Sequence, residues 1–382
     1  MDPLETMKTV YKRRDLAAKE WKEKGGKVVG YFCDSVPDEM ILAAGFLPFR
    51  ISGDPLIGTE RADKYTEPVY EGFVRSMLNG LLSGHFDFLD YLIIPHSRDS
   101  IQALYAILYD VKQFEPRIEF PELYLFDTLH TRSWLAARYM YDRVCDLKKK
   151  LEEWSGKEMT NQALARAIAV GNESRTLLKA VAALRAADPP RVSGVEALQI
   201  IGSSMFMHKE DHNGLLTGFL NGSDSLPVLG GARLFVEGSP MDNSQFYEII
   251  ESCDATIVAE DNCWGNRHSD DPVSLSLDPL EAITDRYLFR SPCPRMHPIG
   301  SRVDYCLKSV VEARAQGVVF NILKWDYTQT WETPDEIRAL EERGIPVLSF
   351  KNQEYLLSDP DKKEIKTQVK EFIESIKGTI TR

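Results

Sequence analysis

The sequence has no apolar run long enough to cross a membrane. Among its 382 residues, no segment approaches the roughly 18 consecutive apolar residues that a transmembrane helix requires. The first residues, MDPLETMKTVYKRRDLAAKEWKEKGG, also contain no apolar core of the kind found in secretory signal peptides. These two absences argue against a membrane partner and against export, and they predict a soluble, cytoplasmic protein.

The six cysteines include no C-x-x-C pair. With no export signal, this scatter excludes a disulfide framework and predicts reduced thiols. Cys145, Cys253 and Cys306 fall at apolar positions of predicted helices, where a cysteine acts as a small core residue. The others, Cys33, Cys263 and Cys293, lie in predicted loops.

Positive charge is the scarcer sign. Lys and Arg number 46 against 58 Asp and Glu, which gives a formal net charge of −12. Non-specific nucleic-acid binding depends on cations that neutralise phosphates, so no nucleic-acid partner is expected. A local anion site is not excluded, because a helix N-terminus can bind phosphate in an acidic protein.

Apolar strand-like runs alternate with helical segments in two stretches of the chain. KVVGYF, FLPFRIS, FLDYLIIP and ELYLFD lie in the first stretch, and ARLFVEGS, ATIVAED, GVVFNILKW and IPVLSF lie in the second. Such alternation predicts an α/β fold with two doubly wound parallel-sheet lobes of Rossmann or flavodoxin type. The predicted divisions are residues 1–129, a joining helical segment at 130–206, and residues 207–382.

Two local expectations concern helices of the first lobe. The residues up to Lys24 are expected to form one amphipathic helix that stops at Gly25. Glu39 lies on the short helix after the first strand, and its side chain is expected to be solvated.

Ligands of doubly wound sheets bind beyond the carboxyl ends of the strands. His96, His268 and His297 fall in loops of this kind, where a histidine could polarise a carbonyl group, shuttle a proton or simply be a hydrogen-bonded loop residue. Gly238 and Ser239, before a helix, could present amides to an anion or form a tight turn. The loops at this edge begin at Cys33, Pro95, Gly238, Asp261 and Trp325.

His208 and His212 have the i, i+4 spacing that places two side chains on one helix face. No third ligand is evident in the sequence, so a metal site there is a minor alternative.

Five segments carry a resemblance to a known family. Together, in this order and spacing, they resemble the 2-hydroxyacyl-CoA dehydratases and the related benzoyl-CoA reductase subunits, from about Lys27 to Phe350. The segments are GYFCDSVPDEMILAAGFLP, RSMLNGLLSGHFDFLDYLIIPHSRDSI, VEGSPMDNSQFYEIIESCDATIVAEDNCWGNR, SPCPRM and GVVFNILKWDYTQTWETPDEIRALEERGIPVL.

The resemblance implies a subunit of a lyase of the 2-hydroxyacyl-CoA dehydratase type, or alternatively of an aryl-CoA reductase. Members of the family pair two homologous subunits around an acyl-CoA thioester, and a typical subunit holds a 4Fe–4S cluster by three cysteines. A separate ATP-dependent iron–sulfur activator supplies the electron. The acyl-CoA, and the choice between dehydration and ring reduction, stay open.

This chain departs from the family pattern at all three cluster cysteines, where it has Glu71, Arg98 and Asp326. Clusters are held by thiolates, and a guanidinium, which is permanently cationic, cannot bind iron. The departure predicts that the three side chains form an ion network in a vacated cluster cavity. It also predicts that this chain binds no cofactor alone, and that a paralogous dehydratase subunit in a heterodimer holds the cluster.

The resemblance and the loop positions together give the candidate site residues. The catalytic candidates are Cys33, His96 and Ser97, and an alternative relocated metal site would use Cys33, Cys263 and Cys293. Two functional alternatives stay open: a cluster-bearing subunit with unusual ligands, and a non-catalytic binding or scaffold protein of the same fold. The predicted substrate contacts are Ser35, Gly238, Ser239, Asn262, Trp264 and Arg267.

Overall fold

A computed structural model describes residues 2–380 of the chain, with side chains up to residue 377. The outer limits of the predicted lobes at residues 1 and 382 lie outside this range. The described chain forms two compact units, each assembled from several segments. The first comprises the chain up to Thr176, Ser203–Leu215 and Asp270–Ser291, and the second comprises Leu177–Gly202, Leu216–Ser269 and the chain from Pro292 onward. The boundaries predicted near residues 129 and 206 stay predictions.

Each unit contains one sheet of four parallel strands within the described residues. The strand orders are β2-β1-β3-β4 and β6-β5-β7-β8, so in both sheets the chain first adds a strand on one side and then continues on the other. Helices flank both sheets, and the predicted α/β fold with two doubly wound lobes is therefore confirmed. The strands are β1 (Val28–Tyr31), β2 (Leu47–Arg50), β3 (Tyr91–Pro95), β4 (Glu122–Phe126), β5 (Ala232–Gly238), β6 (Ala255–Asp261), β7 (Gly317–Leu323) and β8 (Val347–Gln353).

Fourteen α-helices lie within the described residues, and a single π-helical turn, Arg286–Arg290, follows the eleventh. Four consecutive helices, the sixth to the ninth, separate β4 from β5. The helices are α1 (Pro3–Lys12), α2 (Leu16–Glu23), α3 (Asp38–Ala43), α4 (Gly72–Leu82), α5 (Asp99–Phe114), α6 (Trp134–Ser155), α7 (Asn161–Ala186), α8 (Gly194–Ser203), α9 (Lys209–Asn221), α10 (Gln245–Glu251), α11 (Pro279–Asp285), α12 (Gly300–Glu312), α13 (Tyr327–Glu341) and α14 (Asp359–Ile380).

The prediction of one N-terminal helix up to Lys24 is wrong, because the chain leaves the helical conformation between α1 and α2. Arg13 has φ −110° and ψ 69°. The next side chain, Arg14, donates to Ser52 Oγ at 2.6 Å and to the Gly53 carbonyl at 2.8 Å. These tertiary contacts stabilise the break between the two helices. An amphipathic pattern along the sequence does not predict them.

The prediction that Glu39 is solvated is also wrong. Its side chain is buried and accepts hydrogen bonds from Arg175 and from the Tyr287 hydroxyl, the latter at 2.8 Å. The neighbouring Asp38 pairs with Lys209 at 2.9 Å. A six-residue helix is too short for its periodicity to reveal which face is covered, and here partners from distant segments cover both carboxylates.

Helix limits follow local capping chemistry. Ser133 Oγ accepts from the Ala136 amide at 3.1 Å at the start of α6. Gly156, in the left-handed region at φ 66°, ends that helix without the steric cost that a side chain would bring. Caps of this kind satisfy backbone groups that have no partner inside the helix.

The core of the second unit lies between its sheet and the helices α12 and α13. Phe235, Val318 and Phe320 from the strands pack against Cys306 of α12 and Leu340 of α13, and all five are fully buried, at 0% exposed. Burying one such side chain stabilises a fold by about 1.5–3 kcal/mol. Cys253 and Cys306 are buried, as predicted, whereas Cys145 is only half-buried.

Within the described part of the chain, no helix combines the length and the apolar character that crossing a membrane requires.

Candidate functional site

In the first sheet the strand order reverses between β1 and β3. The loops that follow these two strands are in contact. Cys33 follows β1, Ser97 follows β3, and the Ser97 hydroxyl donates to Cys33 Sγ at 3.0 Å. Cys33 adopts φ 58°, which is unusual for a residue other than glycine and is frequent at functional sites. Two of the three predicted catalytic candidates therefore lie together at the edge where a doubly wound sheet binds its ligand.

The third candidate, His96, belongs to a hydrogen-bonded row at the same edge. Its Nδ1 lies 2.9 Å from Oδ1 of Asp127, which directly follows β4. The Tyr139 hydroxyl on α6 donates to Oδ2 of the same carboxylate. Burial raises the pKa of Asp127, but the hydrogen bonds from Tyr139 and His96 outweigh it and hold this pKa below its usual range.

Asp127 and Tyr139 were not predicted as site residues. The position of Asp127 after the strand ELYLF was an available signal, because it puts the carboxylate at the ligand edge. Tyr139 reaches the site from a helix twelve residues further along the chain, and no sequence motif signals that contact. The predicted substrate contact Ser35 lies in the loop after β1, close to Cys33 in sequence. Its Oγ is buried with no hydrogen-bond partner among the described residues.

Two of the three predicted vacated cluster positions form an ion pair in the first unit. Arg98 Nη1 lies 2.6 Å from Glu71 Oε1, and the two side chains are only 11% and 8% exposed. The guanidinium also lies over the Phe73 ring, 5.1 Å from its centroid. Glu71 and Arg98 precede α4 and α5 as N-caps. A cation at a helix N-terminus is unfavourable, and the adjacent carboxylate offsets that cost.

Asp326 lies in the second unit, where it is also an N-cap. It is buried, and its Oδ1 accepts from the Gln329 amide at the start of α13, at 3.4 Å. All three positions that the resemblance assigns to cluster cysteines therefore stand at helix N-termini. That the three side chains converge stays a prediction.

In the second sheet, the turn after β5 is bonded tightly to β7. Gly238 has φ 134°, and a Cβ at this position would lie 2.3 Å from the Asn321 carbonyl oxygen, so only glycine fits. The Ser239 amide donates to that same oxygen at 3.0 Å, and Ser239 Oγ accepts from the Leu323 amide at 3.0 Å. These bonds favour a tight turn over an anion site, and substrate contact at Gly238 and Ser239 stays a prediction.

The other predicted substrate contacts of this unit are buried in the loop after β6. Asn262 bonds the Tyr247 hydroxyl at 3.1 Å and the Trp264 amide at 2.8 Å. Arg267 Nε donates to Asp261 Oδ1 at 2.7 Å. Because these groups serve the loop itself, their contact with substrate stays a prediction.

The three cysteines of the alternative metal site are divided between the units. Cys33 belongs to the first unit, whereas Cys263 and Cys293 belong to the second and are both half-buried. The relocated site therefore stays a prediction.

A buried cluster of four carboxylates surrounds Arg302 in the second unit. The guanidinium nitrogens of Arg302 lie 2.6 Å from Asp261, 3.2 Å from Glu237, 3.4 Å from Glu336 and 3.5 Å from Glu332. Sequence reasoning missed this cluster. The signal was present at Glu237 and Asp261, because a carboxylate at the end of a buried strand needs a partner.

The pKa values in this cluster are raised. Burial, with smaller effects from neighbouring carboxylates, raises the pKa of Glu332 to about 8 and that of Glu336 to about 7, although Arg302 opposes both shifts. Burial and the negative charges of Asp261 and Glu336 also raise the pKa of Glu237 well above its usual range. The site therefore holds protons near neutral pH.

Among the described residues, potential ligand atoms of Glu237, Cys306 and Glu336 lie within 4.8 Å of one another, as in a metal site. Arg302 already supplies the positive charge there, 3.2 Å and 3.4 Å from the two carboxylates. Burial and these carboxylates raise the pKa of the Cys306 thiol well above its usual range, which disfavours the thiolate that a metal needs.

The remaining histidines have separate surroundings. His212 Nε2 lies 3.1 Å from Ser203 Oγ, and His208 stacks on Trp21 with ring centroids 5.2 Å apart. His297 is exposed, and His268 lies half-buried in a short 3-10 turn.

Comparison with known proteins gives a family for this fold and site. The chain matches the family described as 2-hydroxyglutaryl-CoA dehydratase, D-component, over residues 33–376. It is 27% identical to a subunit of the benzoyl-CoA reductase of Thauera aromatica over 377 residues, which cover 94% of this chain and 94% of that protein.

Two dehydratase subunits are similar over somewhat shorter spans. The (R)-phenyllactyl-CoA dehydratase beta subunit of Clostridium sporogenes is 21% identical, with 86% of this chain and 87% of that protein covered. The beta subunit of (R)-2-hydroxyglutaryl-CoA dehydratase from Acidaminococcus fermentans is 22% identical with the same coverage. The chain, with its two doubly wound lobes and a match that spans nearly its whole length, belongs to the 2-hydroxyglutaryl-CoA dehydratase D-component family.

Proposed function

We propose that this chain is a cluster-free subunit of a heterodimeric 2-hydroxyacyl-CoA dehydratase-like enzyme. It completes the acyl-CoA cavity beside a paralogous subunit that holds the 4Fe–4S cluster. The observation that carries the proposal is the ion pair between Arg98 and Glu71, 2.6 Å apart and largely buried. It stands at two of the positions where the resemblance places cluster cysteines.

The chemistry of these side chains does not fit an iron–sulfur cluster. Iron in such clusters is bound by soft thiolates, whereas Arg98 is a permanent cation and Glu71 is a hard oxygen donor engaged with it. Asp326 is likewise a carboxylate, engaged at the start of α13. No step of the reaction is therefore assigned to a cluster in this chain.

The names of the relatives support a partner. The reductase relative and both dehydratase relatives are named as subunits, so each is one component of a larger enzyme. For this chain, the partner that fits the proposal is a paralogous dehydratase subunit. An ATP-dependent iron–sulfur activator would serve the cluster of that partner, and the substrate would be an acyl-CoA thioester.

A subunit of an aryl-CoA reductase is the second candidate. The identity with the benzoyl-CoA reductase subunit is 27%, against 21% and 22% with the two dehydratase subunits. The dehydratase and reductase candidates would both pair with a second subunit. They differ in the reaction, which is dehydration of a 2-hydroxyacyl-CoA in one case and reduction of an aryl-CoA in the other. Turnover of benzoyl-CoA, without turnover of any 2-hydroxyacyl-CoA, would select the reductase.

Iron content is the direct test of the cluster-free assignment. The chain is purified without oxygen, first alone and then co-expressed with the paralogous gene. Alone it is expected to be colourless and to hold less than about one iron atom, because all three expected thiolates are replaced. A brown chain with about four irons when purified alone would contradict the proposal and support a cluster-bearing subunit.

Co-expression tests the partner. A subunit that completes a shared cavity is expected to form a stable 1:1 complex with an interface of about 2,000 Å² or more, as obligate interfaces do. Light scattering after co-purification measures this complex. A monomer that persists beside the co-expressed paralogue would count against the heterodimer, and it would favour a binding or scaffold protein of the same fold.

A further inference from the structure

Three polar side chains from three elements form a row at the carboxyl edge of the first sheet. His96 follows β3 and Asp127 follows β4, and the His96 Nδ1 to Asp127 Oδ1 distance is 2.9 Å. Tyr139, on the second turn of α6, donates its hydroxyl proton to the other oxygen of Asp127. The His96 and Asp127 side chains are 34% and 40% exposed, so a ligand at this edge can reach them.

The row fixes which ring nitrogen of His96 carries the proton. Burial raises the pKa of Asp127, but the hydrogen bonds from Tyr139 and His96 lower this pKa by more than burial raises it. The carboxylate therefore stays ionised near neutral pH. An ionised carboxylate only accepts hydrogen bonds, and Nδ1 of His96 must therefore be the donor. In the neutral ring Nε2 is then the proton acceptor, and in the imidazolium it is the proton donor.

The backbone of His96 is held as firmly as its ring. The His96 amide donates to the Phe126 carbonyl at 2.9 Å, which ties the end of β3 to β4. The His96 carbonyl accepts from Thr128 Oγ1 at 2.8 Å and from His130 Nε2 at 2.9 Å. A proton-transfer group works best when its orientation is fixed before substrate binds.

We propose that His96 is a proton-transfer residue for the acyl-CoA substrate, with Asp127 and Tyr139 as its positioning residues. This inference rests on the proposed function, because it assigns to this chain one group of the shared acyl-CoA cavity. The chemical class of substrate is a 2-hydroxyacyl thioester, whose hydroxyl oxygen must gain a proton to leave as water.

In that dehydration, a single atom, Nε2 of His96, both donates and accepts a proton. The C2–O bond breaks with its electron pair on oxygen, and the imidazolium donates its Nε2 proton to form water. The C2–C3 double bond forms as C3 loses a proton, and the neutral Nε2 accepts that proton. His96 returns to its starting state, and the net reaction involves no oxidation or reduction.

The surrounding charges set the expected pH dependence. Asp127 stabilises the imidazolium, and the Tyr139 hydroxyl weakens that effect by taking part of the charge of the carboxylate. Arg143 lies 5.1 Å from the centroid of the Tyr139 ring, and its charge also lowers the pKa of Asp127. Because the imidazolium is the proton donor, kcat falls as pH rises on the alkaline limb of its pH profile. Asp127→Asn should therefore shift this alkaline limb to lower pH, and Tyr139→Phe should shift it to higher pH.

The test uses the complex with its co-expressed paralogue and the ATP-dependent activator. The probes are (R)-2-hydroxyglutaryl-CoA, (R)-phenyllactyl-CoA, lactoyl-CoA and benzoyl-CoA. His96→Gln is expected to lower kcat for the dehydrated probe by about 100-fold or more, which is typical for loss of a general acid–base group. The matched control is His85→Gln, an exposed histidine of the same unit, and it is expected to leave kcat unchanged.

Nitrogen-15 spectra of the ring test the row without turnover. In the neutral form of the ring in the free chain, the proton of His96 is expected on Nδ1, which faces Asp127, and not on Nε2. A His96→Gln complex with kcat within about 3-fold of wild type would overturn the proposal, since general acid–base groups contribute far more. Limbs that fail to move in opposite directions in the two positioning variants would also overturn it.

The failure of the proposed function looks different. Four irons in the chain alone would contradict the cluster-free assignment, and the absence of a complex with the paralogue would contradict the heterodimer. Either result leaves the ring spectra of the free chain intact. Wild-type complex that dehydrates none of the 2-hydroxyacyl probes would overturn the dehydratase assignment, and the role of His96 would be overturned with it.

Discussion

Arg98 Nη1 lies 2.6 Å from Glu71 Oε1, and the two residues are the N-caps of the consecutive helices α5 and α4. The carboxylate thus neutralises a guanidinium that the positive end of a helix would otherwise repel. The pair takes two positions where the family resemblance expects thiolates. Under the proposed function, this ion pair takes the place of metal binding at the two positions.

The first prediction concerns this pair. Arg98→Met leaves Glu71 ionised in a largely buried site, and losses of about 3–5 kcal/mol in the free energy of unfolding are typical of such a change. The double variant Glu71→Gln, Arg98→Met should lose much less, because no uncompensated charge remains. Urea unfolding of the two single variants and the double variant measures the coupling.

The control for this cycle is an exposed pair of the same type. Arg338 and Asp335 lie 3.2 Å apart with side chains 68% and 43% exposed. The corresponding cycle is expected to give a coupling below about 1 kcal/mol. Additive losses at Glu71 and Arg98 would show that the buried pair contributes nothing of its own.

The second prediction tests the assignment of the cluster positions by restoring thiolates. The triple variant Glu71→Cys, Arg98→Cys, Asp326→Cys, reconstituted without oxygen, is expected to bind about four irons, because three thiolates suffice for the family's cluster. The same three positions changed to serine form the control and should bind none. Equal iron in both variants would mean that these positions were wrongly assigned.

The third prediction concerns pH and the carboxylates around Arg302. The folded-state pKa values of Glu332 and Glu336 are raised to about 8 and about 7 from ordinary values of 4.5. At pH values between the ordinary pKa and the raised folded-state pKa values, the folded chain binds more protons than the unfolded chain. The free energy of unfolding therefore falls as pH rises. The stabilisation is fully present below about pH 4.5 and is lost as pH rises through 7 to 8.

Urea unfolding at several pH values between 5 and 9 measures this loss. Each proton contributes at most about 1.4 kcal/mol per pH unit. The double variant Glu332→Gln, Glu336→Gln is expected to flatten the dependence, whereas Glu342→Gln, at an exposed position, should leave the slope unchanged. A wild-type stability that rises from pH 5 to pH 8 would contradict the assigned direction.

The fourth prediction concerns Glu39, whose carboxylate accepts from Arg175 and Tyr287. Glu39→Ala should cost about 3–5 kcal/mol of unfolding free energy, because it strands a buried guanidinium. Glu39→Gln should cost less, since the amide oxygen still accepts one hydrogen bond. Thermal and urea unfolding measure both.

Glu153 provides the comparison for Glu39. Its side chain is 67% exposed and contacts Lys150, and Glu153→Ala should change stability by no more than about 0.5 kcal/mol. If Glu39→Ala were as mild as Glu153→Ala, the carboxylate of Glu39 would be solvated in solution, as its sequence context suggested.

Sequence reasoning predicted the sheets well because their signal is local. The strands Val28–Tyr31 and Ala255–Asp261, which lie within the short apolar runs KVVGYF and ATIVAED, are buried on both faces, as strands of parallel sheets are. The predicted ends of β1 and β3 also located Cys33, His96 and Ser97 at one edge of the first sheet. By contrast, the break between α1 and α2 depends on contacts of Arg14 with Ser52 and Gly53, and a helical pattern carries no record of such contacts.

Residue type and order along the chain were enough to predict the two doubly wound lobes and the family, both of which are confirmed, whereas the replacement of three expected thiolates stays a prediction. The partners of the buried charges, in contrast, became known only from the folded chain. Tyr139 on α6 donates to Asp127, and Arg302 on α12 contacts Glu237, Asp261 and Glu336. The sequence predicts neither set of contacts, because it does not show where these two helices pack. A buried charge requires a partner, but many distant residues can supply one, and packing alone selects which residue does.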